Sequence, residues 1–135
     1  MSQRWLPALC LSALIVLGSS ACGSGSPGGP VGKADPAAWE KVAGNAQSGR
    51  KLFVEKGCGV CHLARGVPEA MGTIGPNLSG SPTKAQIAEV LPNTPDNMKR
   101  WLINPPAVKP GTAMPQLGVT DGEADDLVAF LATLK

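Results

Sequence analysis

The sequence predicts a small all-α domain of three to five helices joined by loops rich in glycine and proline. Apolar and polar residues hardly ever alternate at the two-residue period of a half-buried strand. Helix-start signals, in which a capping residue precedes proline, recur instead at Asp35-Pro36, Ser81-Pro82 and Thr94-Pro95. The 135 residues include 17 glycines and 13 prolines, and the segments between the predicted helices are rich in both.

The first two helices are predicted before residue 58. Asp35 supplies a cap and Pro36 a first helical residue, so a short helix is expected over 36–43. Gly44-Asn45 interrupts that helix. A second helical run starts at about Ala46.

The later helices follow from the other two proline signals and from one capping box. The proline signals predict helices over residues 84–91 and 96–103. Thr120-x-x-Glu123 is a capping box, and Asp121 adds negative charge where the helix dipole favours it. The last helix therefore starts near residue 121. Its apolar face holds Ala124, Leu127, Phe130, Leu131 and Leu134.

The first and last helices of the domain are expected to pack against each other. The chain has only two phenylalanines, Phe53 and Phe130, and both fall on the proposed contact. Gly49, one turn before Phe53, would let the two backbones approach closely.

Cys58-Gly59-Val60-Cys61-His62 has the spacing at which a c-type haem is attached covalently. Two thiols three positions apart on one helical turn can each add to a haem vinyl group, and the adjacent imidazole can then bind the iron. The motif therefore predicts one covalent haem attached to Cys58 and Cys61, with His62 as an axial ligand.

Three other interpretations of the motif remain open. A thioredoxin-like redox pair would need a strand leading into the cysteines, within alternating strands and helices. A zinc site would need a fourth ligand, and no second pair of Cys or His follows Cys58, Cys61 and His62. A plain disulfide between the two cysteines is the third alternative.

Met114 is the favoured sixth ligand of the iron. His62 is the only histidine, so the remaining choices are methionine, lysine, water or none. Pro110 and Pro115 stiffen the loop around Met114, and a glycine at 111 allows a turn. Met71 and Met98 are the competing methionines, and Met98 is predicted to lie in the core.

The amino-terminal residues predict export. Residues 1–21 have the short apolar run of a secretory signal, which contains Cys10. Cys22 follows small residues in a way that resembles a bacterial lipoprotein cleavage site, so it is the candidate for lipidation, against ordinary cleavage beside an uninvolved cysteine. Residues 22–45 form a tether rich in glycine and serine at its start, with the helix over 36–43 inside it. Residues 46–135 form the domain.

Four further segments carry motifs that belong together. They are Gly49-x-x-x-Phe53, Gly75-Pro76-Asn77-Leu78, residues 98–114 with Trp101 and Asn104-Pro105, and Asp126-Leu127-Val128-Ala129-Phe130-Leu131. With Cys-x-x-Cys-His, these segments resemble a small class I cytochrome c with a single haem. The run over residues 93–114 is similar to the cytochrome c domain fused to subunit II of some bacterial terminal oxidases.

The resemblance assigns roles to three further residues. It implies that the backbone carbonyl of Pro76 accepts a hydrogen bond from Nδ1–H of His62, which makes Nε2 the better iron ligand. It also implies that Trp101 and Thr112 lie beside the haem, near its propionate or methionine side.

The function that the resemblance implies is one-electron transfer in a respiratory chain. The protein would be a monomeric carrier and not an enzyme, on the periplasmic side of a bacterial membrane and anchored there by a lipid. Electrons would arrive from a quinol-oxidising complex and leave to a terminal oxidase. Two alternatives stay open: a fixed haem subunit of a dehydrogenase or oxidase complex, and a small haem peroxidase or gas sensor with a labile methionine.

The charge balance adds little about partners. The 12 basic and 10 acidic residues give a net charge of +2, so no nucleic-acid partner is indicated. Four basic residues, Lys51, Lys56, Arg65 and Lys109, are candidates for a docking surface near the haem edge.

Overall fold

The computed structural model describes residues 34–135. The predicted signal over 1–21, Cys10, the lipidation of Cys22 and the start of the tether lie outside these residues. Within residues 34–135, no helix combines the length and the apolarity needed to cross a bilayer.

The described chain is mostly helical, as predicted, and its one sheet is a hairpin of two short strands. Two short 3₁₀ helices complete the structure. The α-helices are α1 Ala46–Glu55, α2 Cys58–Cys61, α3 Pro95–Ile103, α4 Pro105–Val108 and α5 Asp121–Thr133. The 3₁₀ helices are Pro36–Lys41 and Ser81–Thr83, and the strands are β1 Gln86–Ile87 and β2 Leu91–Pro92, paired antiparallel.

The predicted capping residues start two of the longer helices. Thr94 caps α3 by accepting a hydrogen bond from the backbone N–H of Asn97 at 3.3 Å. At α5 both halves of the capping box form, because Glu123 accepts from the Thr120 backbone N–H at 2.8 Å and Thr120 Oγ1 accepts from the Glu123 N–H at 3.4 Å. The predictions for both helices are confirmed within one residue.

Helices α1 and α5 cross at Gly49, as predicted. A Cβ at Gly49 would overlap the backbone of Asp126 and lie 2.8 Å from Cβ of Phe130. One turn later, the rings of Phe53 and Phe130 meet with centroids 5.3 Å apart and planes inclined by 57°. This crossing is the centre of the hydrophobic core.

The packed part of the chain begins before residue 46. Asp35 caps the first 3₁₀ helix, which ends at Lys41 and is shorter than the predicted helix over 36–43. Its Trp39 is 3% exposed, belongs to the core and donates from Nε1 to the carbonyl of Asn93 at 3.4 Å. Residues around Trp39 thus pack on the domain, although the prediction placed residues 22–45 in a tether.

The predicted helix over residues 84–91 is wrong. Ser81-Pro82 starts only one 3₁₀ turn, and the chain then forms the β1–β2 hairpin. The side chain of Asn93 stabilises this extended conformation, because its Nδ2 donates to the carbonyls of Ser81 at 2.7 Å and Lys84 at 2.9 Å. Lys84 itself has an extended backbone, with ψ at 147°, so no helix starts there.

Candidate haem-binding site

The two cysteines of the motif lie on a single turn of helix. Gly57, at φ 70°, separates α1 from α2 in a left-handed conformation that favours glycine. Cys58 and Cys61 begin and end α2, and both are half-buried free thiols. The backbone N–H of His62 donates to the carbonyl of Cys58 at 2.9 Å, which closes this turn. The turn therefore presents two thiols and one imidazole from adjacent positions.

The ring of His62 is held by the backbone of residues 75 and 76. Nδ1 of His62 lies 2.9 Å from the carbonyl oxygen of Pro76. Because a carbonyl can only accept, Nδ1 carries the proton of this bond, and in the neutral ring the lone pair is then on Nε2. Gly75 lies against the ring, and its N–H donates to the carbonyl of Cys61 at 2.7 Å. Among residues 34–135 no group bonds to Nε2, so this nitrogen is available to a metal.

The environment of Cys58 argues against the interpretation of the motif as a thioredoxin-like redox pair. Burial raises the pKa of the Cys58 thiol, whereas reactive redox cysteines have a lowered pKa. The element before α2 is the helix α1 and not a strand. The two sulfurs are not joined in a disulfide, and in the described part of the chain no three His, Cys, Asp or Glu side chains converge as a metal site.

The three candidate methionines occupy different environments. Met98 is 8% exposed and belongs to the core, as predicted, and Met71 is 71% exposed. Met114 is half-buried and packs against the edge of the core. Its backbone N–H donates to Oγ1 of Thr112 at 3.3 Å, and the Thr112 N–H donates to the carbonyl of Lys109 at 3.1 Å. The loop around Met114 is thus ordered by its own hydrogen bonds.

A set of half-buried apolar side chains lies against the core. Apolar area that stays in contact with water lowers the free energy of unfolding that the domain could otherwise reach, and another apolar group that covers this area removes the loss. Trp101 is buried in the core beside them, as are Ile87 and Leu102. Two free thiols, an imidazole nitrogen without a partner among residues 34–135 and half-buried apolar side chains are the groups that a covalently held haem requires. The half-buried set includes Leu52, Leu78, Leu91, Met114 and Leu117.

Two features of the site were not predicted. Gly75 was part of a recognised motif, but its contact with the His62 ring is visible only in three dimensions. Three large apolar side chains in the motif or shortly after it are also exposed. The exposed fraction is 73% for Val60, 71% for Met71 and 77% for Ile74. Gly72, between Met71 and Ile74, contacts the backbone of Val60 and brings this loop onto α2.

Two of the four basic residues proposed for docking are bonded within the molecule. Lys56 pairs with Glu123 at 3.1 Å and donates to the carbonyl of Gly118 at 3.3 Å. Lys109 donates to the carbonyl of Ala88 at 3.0 Å and to Glu89 at 3.2 Å. These four contacts give Lys56 and Lys109 roles in the fold.

The model of the family described as "Cytochrome c" matches residues 46–135. Three curated relatives are each named "Cytochrome c oxidase subunit 2". That of Alkalihalophilus pseudofirmus is 31% identical over 91 residues, that of Bacillus subtilis 35% over 97, and that of Bacillus sp. strain PS3 32% over 94. Each match covers 67% of this chain and 26% of the relative, so the chain spans about a quarter of the length of these relatives.

Proposed function

Since the chain belongs to the cytochrome c family, we propose that it is a one-electron carrier whose haem iron is bound by His62 and Met114. The cofactor of this family is haem c, attached covalently, and the matched domain carries one such motif. Bound haem c supplies an iron that takes up and releases a single electron. Cys58 and Cys61 would hold it by two thioether bonds.

The observation that carries the proposal is the contact between His62 and Pro76. A hydrogen bond from Nδ1–H at 2.9 Å fixes the ring orientation and makes Nε2 a stronger electron donor to iron. Gly75 lies against the ring, and because it has no side chain it leaves the ring room in this orientation. An iron ligand held in this way keeps one geometry in both oxidation states, so little rearrangement accompanies each electron.

Met114 is proposed as the second ligand because of its loop. The residue is half-buried beside the core, and its backbone is bonded to Thr112. Methionine sulfur favours ferrous iron, and an apolar surround disfavours the extra charge of ferric haem. Both effects raise the reduction potential, which suits a carrier that delivers electrons to an oxidase.

The place of the protein in a respiratory chain is also part of the proposal. We place it on the periplasmic side of a bacterial membrane, as a monomer anchored through a lipid on Cys22, receiving electrons from a quinol-oxidising complex. The acceptor is proposed to be a terminal oxidase, and the names of the relatives support this choice. Radiolabelled palmitate incorporated into the wild-type protein but not into C22S would test the anchor.

The exposed side chains of Val60, Met71 and Ile74 are proposed as the surface that meets the oxidase. Val60 lies between the two haem-attaching cysteines, so a partner covering it would stand close to the haem edge. An apolar contact would make electron delivery weakly dependent on salt. Replacing Ile74 with lysine should slow electron delivery to the oxidase and leave the reduction potential unchanged.

Spectra of the mature protein test the proposed ligands. The pyridine haemochrome should be that of a haem with two thioether links, and the oxidised protein should show the weak near-infrared band of methionine bound to iron. M114A should lose this band, and M71A, which changes an exposed methionine, should keep it. A band that persists in M114A would overturn the assignment of Met114.

Carbon monoxide separates the carrier from the peroxidase or gas sensor. In a carrier, Met114 stays in place and the reduced protein binds carbon monoxide slowly. Rapid binding at neutral pH would instead indicate a labile methionine and would contradict the carrier.

A further inference from the structure

The turn between β1 and β2 has an unusual backbone. The N–H of Val90 donates to the carbonyl of Ile87 at 3.1 Å, and the two residues between them, Ala88 and Glu89, have φ values of 50° and 65°. Residues with a Cβ rarely adopt this left-handed region, and a turn of this kind usually contains glycine or asparagine. Such a conformation persists when the surroundings hold it in place.

Lys109 holds this turn from outside the hairpin. Its ammonium group donates to the carbonyl of Ala88 at 3.0 Å and to a carboxylate oxygen of Glu89 at 3.2 Å. The two strained residues of the turn thus share one cation. Lys109 is far from them in sequence and caps the end of α4.

Lys109 is also the first residue of the loop that carries Met114. Its own N–H donates to the carbonyl of Pro105 at 2.9 Å, and its carbonyl accepts from the Thr112 N–H at 3.1 Å. Thr112 Oγ1 then accepts from the Met114 N–H at 3.3 Å. A continuous series of hydrogen bonds therefore leads from the hairpin turn through Lys109 and Thr112 to Met114.

We infer that Lys109 is a positioning residue that ties the Met114 loop to the β1–β2 turn and so keeps the methionine in place for iron. The inference rests on the proposed function, in which Met114 is the sixth ligand. Without the ammonium group, the Ala88 carbonyl loses this partner and the Met114 loop loses its tie to the hairpin turn. The sulfur then leaves its position more often, although the hydrogen bonds of Lys109 go to Ala88, Glu89, Pro105 and Thr112 and not to Met114 itself.

The rate at which imidazole binds to the oxidised holoprotein measures this effect. Imidazole can take the sixth position only when Met114 has left it, so the rate reports how often the loop opens. K109M should bind imidazole at least about fivefold faster than wild type, because a hydrogen bond from a charged group is lost. K109R keeps a cation that can reach the same carbonyl and should restore the slow rate. E89Q, which keeps the Ala88 contact, should stay close to wild type.

K99M is the matched control for a loss of stability alone. Lys99 joins α3 to α5 through Asp121 and Asp125, each at 2.8 Å, so its loss weakens the fold without removing a hydrogen bond of the Met114 loop. K99M should keep the wild-type rate of imidazole binding. A wild-type rate in K109M, or an equal acceleration in K99M, would overturn the inference.

The test is also separable from the proposed function. The near-infrared band is recorded first in wild type and in M114A. If wild type lacks the band, or M114A retains it, the proposed ligand is wrong. If the band behaves as expected and K109M binds imidazole no faster than wild type, only the role of Lys109 is wrong.

Discussion

Gly75 lies so close to the His62 ring that the position has no room for a side chain. A Cβ at this position would lie 2.5 Å from Nδ1 of the imidazole and closer still to its Cε1 carbon, much nearer than atoms in contact allow. G75A must therefore turn the ring or move the backbone that carries the Pro76 carbonyl. We expect G75A to mature with less haem and to show an altered near-infrared band.

The neighbouring exposed residue supplies the control for that substitution. T73A changes an exposed side chain of the same loop and should mature like wild type. Haem content per protein, measured by the pyridine haemochrome, gives the comparison. Wild-type haem content together with an unchanged band in G75A would contradict the role given to the glycine.

The residues of the motif could be predicted from sequence because their chemistry depends on near neighbours. Cys58, Cys61 and His62 are adjacent, so spacing alone brought two thiols and an imidazole together. The contacts of Gly75 and Lys109 could not be predicted in this way. Lys109 meets Ala88 across 21 positions, and no local pattern specifies which carbonyl a lysine will reach.

At the scale of elements, the crossing of α1 and α5 depends on a glycine. G49A would place a Cβ against the backbone of Asp126 and 2.8 Å from Cβ of Phe130. The helices would have to separate and the Phe53–Phe130 contact would loosen. We expect G49A to lower the free energy of unfolding by about 2 kcal/mol, as overpacking of a core does.

G122A is the matched control, because Gly122 also lies in a helix. A Cβ at Gly122 would have no neighbour within 4 Å, so G122A should be neutral or should raise the free energy of unfolding by up to about 1 kcal/mol. Urea unfolding of both variants, followed by circular dichroism, provides the measurement. Equal effects of the two substitutions would show that helix propensity, and not close packing, decides the result.

Local signals predicted an element well when its own residues satisfied its ends. The capping box at Thr120 and Glu123 closes within four residues, and α5 begins where it indicates. Ser81-Pro82 gave a similar signal, but the side chain of Asn93, 12 residues away, donates a hydrogen bond to the Ser81 carbonyl. A tertiary contact of this kind overrides local propensity, and this is why a hairpin replaces the predicted helix over residues 84–91.

For the molecule as a whole, the start of α5 links stability to pH. The pKa of Glu123 is lowered first by the backbone N–H of Thr120 and then by Lys56. A lowered pKa in the folded state means that the carboxylate stabilises the fold at neutral pH. That contribution is lost as the pH falls below the ordinary glutamate value, about 4.3, and through the lower folded-state value.

E123Q removes this titration and tests the linkage. Its free energy of unfolding should be below that of wild type at neutral pH, and the difference should shrink as the solution is made acidic. Urea unfolding at a series of pH values measures the difference. A gap between the two proteins that stays constant down to strongly acidic pH would show that Glu123 acts only as a neutral cap.

The whole domain is expected to need its cofactor for cooperative folding. A domain of about ninety residues buries only a modest share of its surface. Here Leu52, Leu78, Leu91 and Leu117 remain half-buried beside the core, and a bound haem would cover apolar surface of this kind. The packing of α1 against α5, in contrast, involves only protein side chains and needs no cofactor.

We therefore expect the haem-free chain to keep helical signal while its thermal transition becomes broad and shifts to lower temperature. A variant with both cysteines of the motif replaced by serine, produced without haem, would be compared with the holoprotein by circular dichroism. A sharp transition of the haem-free variant near that of the holoprotein would mean that the protein core is sufficient by itself.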